Sequence, residues 1–395
     1  FRSFFSSPAA YLFLGAFVGS TLFVFFWVET FFARNIADIK PLFQWLPLLL
    51  IFLVAALTMR SWSDERKSGT LETLLTAPVS LHSLIFGKFF AALSLVVLAL
   101  ALTLPLPVTV SFLGDIDWGP VVGGYVATFF LAASYISIGI YTSGRTDNPI
   151  VALIMTALLC GLFYIVGAQL LTNLFSHEVA SILNKFGTGT RFESITRGVI
   201  DLRDLIYYLS IVAVFLALNL FSLEKLRWDQ NKKGLPSHKK WKIAIWIFIL
   251  NCLILNLWLS PVSWARIDIT KDGLYSLSDT TKLQFSELRE PLVIKGYFSE
   301  RSHPLLTPLV PKIKDLLSEY ETVSNGKIRV QFIDPQKDKE LEEEAASKYS
   351  IKPVPFQTAT RHQAAVVNSY FDIVIPYGDQ FESLSYADLI EAKAS

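Results

Sequence analysis

The sequence is poor in charge, in cysteine and in the motifs of catalysis. Asp, Glu, Lys and Arg make up 17% of its 395 residues, against about a quarter in an ordinary soluble domain. Its two cysteines, Cys160 and Cys252, lie inside apolar runs, which excludes a disulfide framework or a thiol redox pair in the polar remainder. No Gly-x-x-x-x-Gly-Lys-Ser/Thr loop occurs. Gly87-Lys88 and Gly326-Lys327 lack the upstream glycine that lets backbone amides surround a phosphate, so nucleotide hydrolysis by that route is excluded. His-Glu-x-x-His and Gly-x-Ser-x-Gly are missing too, and His82, His177, His238, His303 and His362 are scattered. The acidic run Glu340–Glu344 reads as a solvated helix face. No catalytic, cofactor or metal site is therefore expected in this chain.

What is present is apolar length. Seven runs reach the roughly 20 residues needed to cross a bilayer: Tyr11–Phe32, Pro41–Met59, Leu84–Leu113, Pro120–Ser143, Pro149–Thr172, Leu205–Leu223 and Trp241–Leu259. Glu29, near the end of the first, can reach the interface at little cost. Leu104-Pro105-Leu106-Pro107 should kink or break the third run. The net charge of +1 hides a split: residues 1–260 carry 19 basic and 14 acidic side chains, residues 261–395 carry 16 and 20. Neither half is basic enough for nucleic acid. The chain opens on Phe1 and ends at Ala394-Ser395, so sequence is expected to continue at both ends; no cleavable signal peptide is visible.

Basic residues set an orientation. One set of loops holds Arg2, Arg60, Arg66, Lys67, Lys88, Arg145 and the cluster Lys225–Lys242; the opposite set holds Arg34, Lys40, Lys185, Arg191, Arg197 and Arg203. The richer set should face the cytoplasm. That puts the N-terminus, the 60–83 segment and the basic linker inside, and delivers residues 261–395 to the far side of the membrane.

The 60–83 segment is a charged island between two greasy runs. Gly69 permits a sharp turn, and Leu71, Leu74 and Leu75 fall on one helix face. Asp64, Glu65, Arg66, Lys67 and Glu72 should project outward, and Pro78 closes the segment. Such a wedge can take a push from a soluble partner and pass it to the spans, or be an ordinary amphipathic connector. Phe175 to Phe186 and Phe192, Ile195, Val199 and Leu202 repeat at helical spacing around Gly187-Thr188-Gly189, predicting two short amphipathic helices at the outer boundary or dipping into it. Beyond 261, Pro291–Ser299, Lys327–Ile333, Ala364–Tyr377 and Phe381–Tyr386 read as strands, and Pro311–Tyr320 and Asp338–Tyr349 as helices. This alternation predicts an α/β layer with a mainly parallel core, of thioredoxin-like topology but without a cysteine pair.

Asp64–Pro78, with its charged pair, Gly-Thr, Glu, Leu-Leu and Pro, resembles the coupling segment of ABC type-2 exporter permeases. So does Gly198-Val199-Ile200-Asp201-Leu202-Arg203-Asp204-Leu205. Arg2-Ser3-Phe4-Phe5 with Ser7-Pro8-Ala9-Ala10-Tyr11 resembles the start of the gliding-motility-type (GldF-like) permease. Residues 241–395 resemble its GldG-like accessory protein through Arg266-Ile267-Asp268-Ile269-Thr270, Gly273-Leu274-Tyr275-Ser276-Leu277-Ser278, Pro291, Phe298, Gly326-Lys327-Ile328, Phe332-Ile333-Asp334-Pro335 and Ile351-Lys352-Pro353-Val354-Pro355.

The resemblance implies a six-span ABC type-2 permease over 1–225, a basic linker at 226–240, a seventh helix at 241–260 and a GldG-like extracytoplasmic domain at 261–395. A separate nucleotide-binding subunit would hold ATP and Mg. Asp64, Glu65, Arg66, Gly69, Thr70, Glu72, Leu75 and Pro78 are expected to contact it. A second copy of the chain, a bacterial inner membrane and export of an undefined substrate are further expectations. The alternative is an envelope complex that transmits force or anchors without transport.

Overall fold

Apolar length decides the architecture of the first two thirds of the chain. The computed structural model describes residues 8–34, 37–168, 171, 183, 185–227, 236–259, 266–271, 273, 279–288, 291–299, 309–324, 327–337, 339–360, 363–377, 380–385 and 388. Among them, six helices are long and apolar enough to cross a membrane: Ala10–Ala33, Leu46–Lys67, Leu81–Ser111, Trp118–Ser143, Leu202–Leu226 and Lys239–Leu259. A membrane leaves backbone groups no water to bond, so a run that enters it must close its hydrogen bonds internally as helix.

The principal helices are α1 (Pro8–Phe23), α2 (Leu46–Thr58), α3 (Ser63–Lys67), α4 (Thr70–Thr76), α5 (Leu81–Thr103), α6 (Trp118–Ser143) and α7 (Pro149–Ile165). They are followed by α8 (Thr188–Thr196), strand β1 (Val199–Asp201), α9 (Leu202–Leu226), α10 (Pro236–Leu259) and strand β2 (Arg266–Asp268). Helix α6 is the axle. Gly123 and Gly139 are so tightly faced that a Cβ would lie 2.3 Å from the Ile195 carbonyl and 2.0 Å from the Thr58 hydroxyl. Small residues of this kind let membrane helices approach backbone to backbone.

Several local expectations meet their physical causes here. The prolines interrupt the third run: α5 stops at Thr103 and a second helix, Pro105–Leu113, resumes at once. The fifth run is helical over Pro149–Ile165, 17 residues or about 25 Å, and Gly167 then abuts Gly187. Glu29 follows a π-helical turn at Val24–Val28, and its carboxylate accepts the Trp45 indole N–H at 2.6 Å. Of the two amphipathic helices, the first falls largely outside the described residues. The second, α8, packs Phe192 and Ile195 into the bundle. Its predicted continuation through Val199 and Leu202 does not occur. Gly198 takes φ +93°, the chain turns, and Val199 enters β1.

The chain divides into two compact units between Gly273 and Leu274. Arg266–Thr270, expected with the C-terminal domain, therefore belongs to the bundle. There β2 pairs antiparallel with β1, Val199 opposite Asp268 and Asp201 opposite Arg266.

The second unit holds α11 (Asp279–Glu287), β3 (Leu292–Phe298), α12 (Leu309–Val323), β4 (Ile328–Ile333) and α13 (Lys339–Tyr349). Strands β5 (Val354–Thr360), β6 (Gln363–Ser369), β7 (Phe371–Tyr377) and β8 (Gln380–Leu384) follow. The sheet order is β4-β3-β7-β8. A mainly parallel sheet was the wrong expectation: β3 and β4 are parallel, whereas β7 pairs antiparallel with both β3 and β8. Strands β3 and β4 are joined through helix α12 and run parallel. Strand β7, reached through α13 and the β5–β6 hairpin, enters the sheet in the opposite direction, and β8 follows two residues after it as its antiparallel neighbour. A β-α-β unit joined to a hairpin is nonetheless the strand plan of a thioredoxin-like layer, here with β5–β6 as an extra hairpin. One face packs Ile294, Phe298, Leu317 and Phe371; the other packs Tyr297, Tyr349, Tyr370 and Val374 against Ala345 of α13.

Candidate coupling site

The charged island folds into α3 and α4, set at a corner by Gly69. At φ +74° with no atom within 4 Å of a Cβ, this glycine is required by the left-handed backbone and not by crowding. The Ser68 hydroxyl donates to the Asp64 carbonyl at 2.8 Å and lies 2.9 Å from the Thr70 hydroxyl, satisfying the frayed end of α3. Leu71 and Leu75 are buried and Leu74 is partly so, which seats α4 on the bundle. Asp64, Lys67, Gly69, Thr70, Glu72 and Pro78 are exposed. Ser80 caps α5 by accepting the Ser83 amide at 3.2 Å.

Two expected outward residues turn inward. Glu65 accepts from Lys88 Nζ at 2.5 Å, with both side chains about a quarter exposed, and Arg66 donates to the Gly144 carbonyl at 2.7 Å. Each bond to a charged group is worth about 1.5–3 kcal/mol when shielded. Lys88 also donates to the Ser61 carbonyl and sits 4.4 Å over the Trp62 ring. Ser143, at the end of α6, completes the attachment. Its hydroxyl accepts the Trp62 and Ser63 amides at 3.0 and 3.2 Å and donates to the Met59 carbonyl at 2.9 Å. One buried hydroxyl thus satisfies the backbone where α2 breaks into α3. These bonds fasten the island to α5 and α6 in the present arrangement. Beside it opens a cleft of about 540 Å³ lined by Met59, Arg60, Lys67, Asp147, Asn148, Pro149 and Ile150.

The opposite end of α6 carries a second clamp. Gly119 and Ser143 are separated by about 36 Å of helix. A Cβ on Gly119 would stand 2.5 Å from the Ile269 carbonyl, and one on Gly198 would stand 2.8 Å from Thr270. The Ile269 amide donates to the Gly198 carbonyl at 3.0 Å, and Asp117 accepts the Lys271 amide at 3.3 Å. Nearby, Arg191 pairs with Asp204 at 2.7 Å and lies 4.4 Å over Tyr207, while Asp201 caps α9 and holds Arg203. The strand that follows the last long helix is therefore fastened to the bundle at the end remote from the island.

Sequence reasoning passed over Trp62, Lys88, Ser143 and Gly144 as working parts. Lys88 carried a signal, a lone cation seven residues into an apolar helix. Ser143 carried none, because small hydroxyls are common in such helices. Among the described residues, no cluster of His, Cys, Asp or Glu could hold a metal.

Residues 271–376 match a family described as a domain of unknown function (DUF7088), and residues 17–263 match the family described as ABC-2 family transporter protein. No curated protein and no solved structure matches the chain. The second match spans more than half of the chain and coincides with the helical bundle and its island. The chain belongs to the ABC-2 transporter family: a multi-pass membrane permease of ABC type, whose family works with a separate ATPase subunit.

Proposed function

We propose that this chain is the export permease of an ATP-driven transporter of the gliding-motility, GldF-like type, fused to a GldG-like accessory domain. Helices α3 and α4 face the cytoplasm of a bacterial inner membrane and receive the nucleotide-binding subunit. That subunit holds ATP and Mg. Two copies of the chain serve two such subunits around a shared axis, and residues 274–395 lie outside, where they recruit a substrate or an envelope partner. The carrying observation is the island itself: exposed at Asp64, Thr70, Glu72 and Pro78, seated by Leu71 and Leu75, and fastened through Lys88 and Ser143 to the spans.

Purification from native membranes tests this. A nucleotide-binding subunit should accompany the chain, and Glu72→Arg should lower ATP hydrolysis of the complex about tenfold while the permease remains folded. Unchanged hydrolysis would remove Glu72 from the contact. Repeated failure to recover any nucleotide-binding subunit would overturn the reading.

A further inference from the structure

Polar atoms buried without partners gather at one place beside the island. Trp62 and Asn219 are each 0% exposed. The indole N–H of Trp62, both amide atoms of Asn219 and one carboxylate oxygen of Glu65 lack hydrogen-bond partners. In an apolar interior each such group carries a desolvation cost that a partner would cancel. Trp62 lies in the turn that opens α3, and Asn219 lies on α9. Both flank Gly144, the residue that ends α6: a Cβ there would stand 3.4 Å from Asn219 Oδ1 and 3.6 Å from Trp62 Cδ1, the carbon bonded to the indole nitrogen. A donor and an acceptor, complementary in kind, thus both border the space beside one glycine, with the Tyr141 carbonyl also 3.4 Å from the same point.

We propose that Trp62 and Asn219 close into a hydrogen bond across Gly144 when the coupling helices are displaced, and that this pair passes the displacement to α9. The inference rests on reading α3 and α4 as the ATPase-facing segment. It makes Trp62 and Asn219 positioning residues. The joint has two arrangements: the present one, held by Lys88 on Glu65 and Arg66 on the Gly144 carbonyl, and a second, in which the orphaned indole and carboxamide are satisfied. Interiors that switch between discrete packings convert small shifts into rigid-body motion. Helix α9 is suited to receive the motion, because it packs along α6 and its far end carries β1, the partner of β2.

Three variants of the intact complex test the pair. Asn219→Leu removes the carboxamide at nearly constant volume, and Trp62→Phe removes the N–H but keeps a ring beneath Lys88. Gly144→Ala inserts one methyl where the two groups must meet; φ at Gly144 is −73°, which alanine adopts freely. Each should still recover the ATPase subunit and keep its thermal midpoint, yet lower kcat for ATP hydrolysis about five- to tenfold at unchanged KM for MgATP. The double variant Trp62→Phe/Asn219→Leu should lose no more than either single one. Hydrolysis within twofold of wild type in all three variants would overturn the relay while leaving the coupling surface intact. Multiplying losses in the double variant, or collapse of Asn219→Leu, would also overturn it. Failure of the wild-type chain to recover an ATPase subunit would instead overturn the reading beneath it.

Discussion

Single atoms in this protein carry costs that fold and function must offset. Asp372, on β7, is 9% exposed, and one of its carboxylate oxygens is buried without a partner. It stands opposite Tyr297 of β3, whose phenol is also buried without a partner. Burial, with a contribution from Asp388, pushes the Asp372 carboxyl up to about 6. Below about pH 4 the group is neutral whether β7 is folded or not. Between about 4 and about 6 the folded form holds a proton that the unfolded chain releases, so stability falls as pH rises through that window and stays lower above it. Asp372→Asn should remove that dependence. At pH 7 it should raise the opening free energy of β7, read by hydrogen exchange of the full-length protein, by about 1–2 kcal/mol after allowance for solvent screening. A variant whose β7 keeps the wild-type slope between pH 4 and 6 would show that another group titrates there.

At the level of elements, the pattern of apolar runs was legible because it follows from a constraint with few solutions. Backbone groups in lipid must close into helix, so run length located six of the seven expected spans among the described residues. The fifth run was expected over Pro149–Thr172, but its described helix, Pro149–Ile165, falls short of spanning length. Capping and turn chemistry were legible for the same reason: Gly69 and the paired prolines act through their own backbones. Where a partner lies far along the chain, the local pattern misled. Val199 continued a helical spacing from Ile195, but Arg266–Asp268, more than sixty residues later, draws it into a strand. Sheet direction failed similarly, since alternation of strands and helices does not reveal which later strands return by hairpin. Glu65 and Arg66 looked solvated because their partners, Lys88 and the Gly144 carbonyl, belong to other helices. The corner at Gly69 offers a clean comparison. Gly69→Ala meets no atom but must hold a left-handed backbone, at about 1–2 kcal/mol. It should loosen the α3–α4 corner and reduce ATP hydrolysis by the complex two- to fivefold. Gly87→Ala also meets no atom and sits at ordinary helical φ, so it should leave both unchanged. Equal behaviour of the two variants would remove the corner from the coupling path.

At the scale of the whole molecule, the proposed coupling would make α6, clamped at both ends, a transmission line. The island holds its Ser143 end, and the β1–β2 pair with Ile269 and Thr270 holds its Gly119 end, about 36 Å away. That length exceeds the roughly 30 Å hydrocarbon thickness of a bilayer, so the proposed topology expects the two clamps at opposite faces of the membrane. On the proposed topology, residues 274–395 are expected on the side of the membrane away from the ATPase. The native thiols permit a direct test, since Cys160 is buried and Cys252 lies within the α10 span. Single cysteines at Thr76 and Glu343, both exposed, should react with a membrane-impermeant maleimide from opposite sides. In intact spheroplasts Glu343→Cys should label and Thr76→Cys should not; in inverted vesicles the order should reverse. Labelling of both from one side would dissolve the transmission line, because a push delivered at the island would have no separate compartment in which to arrive.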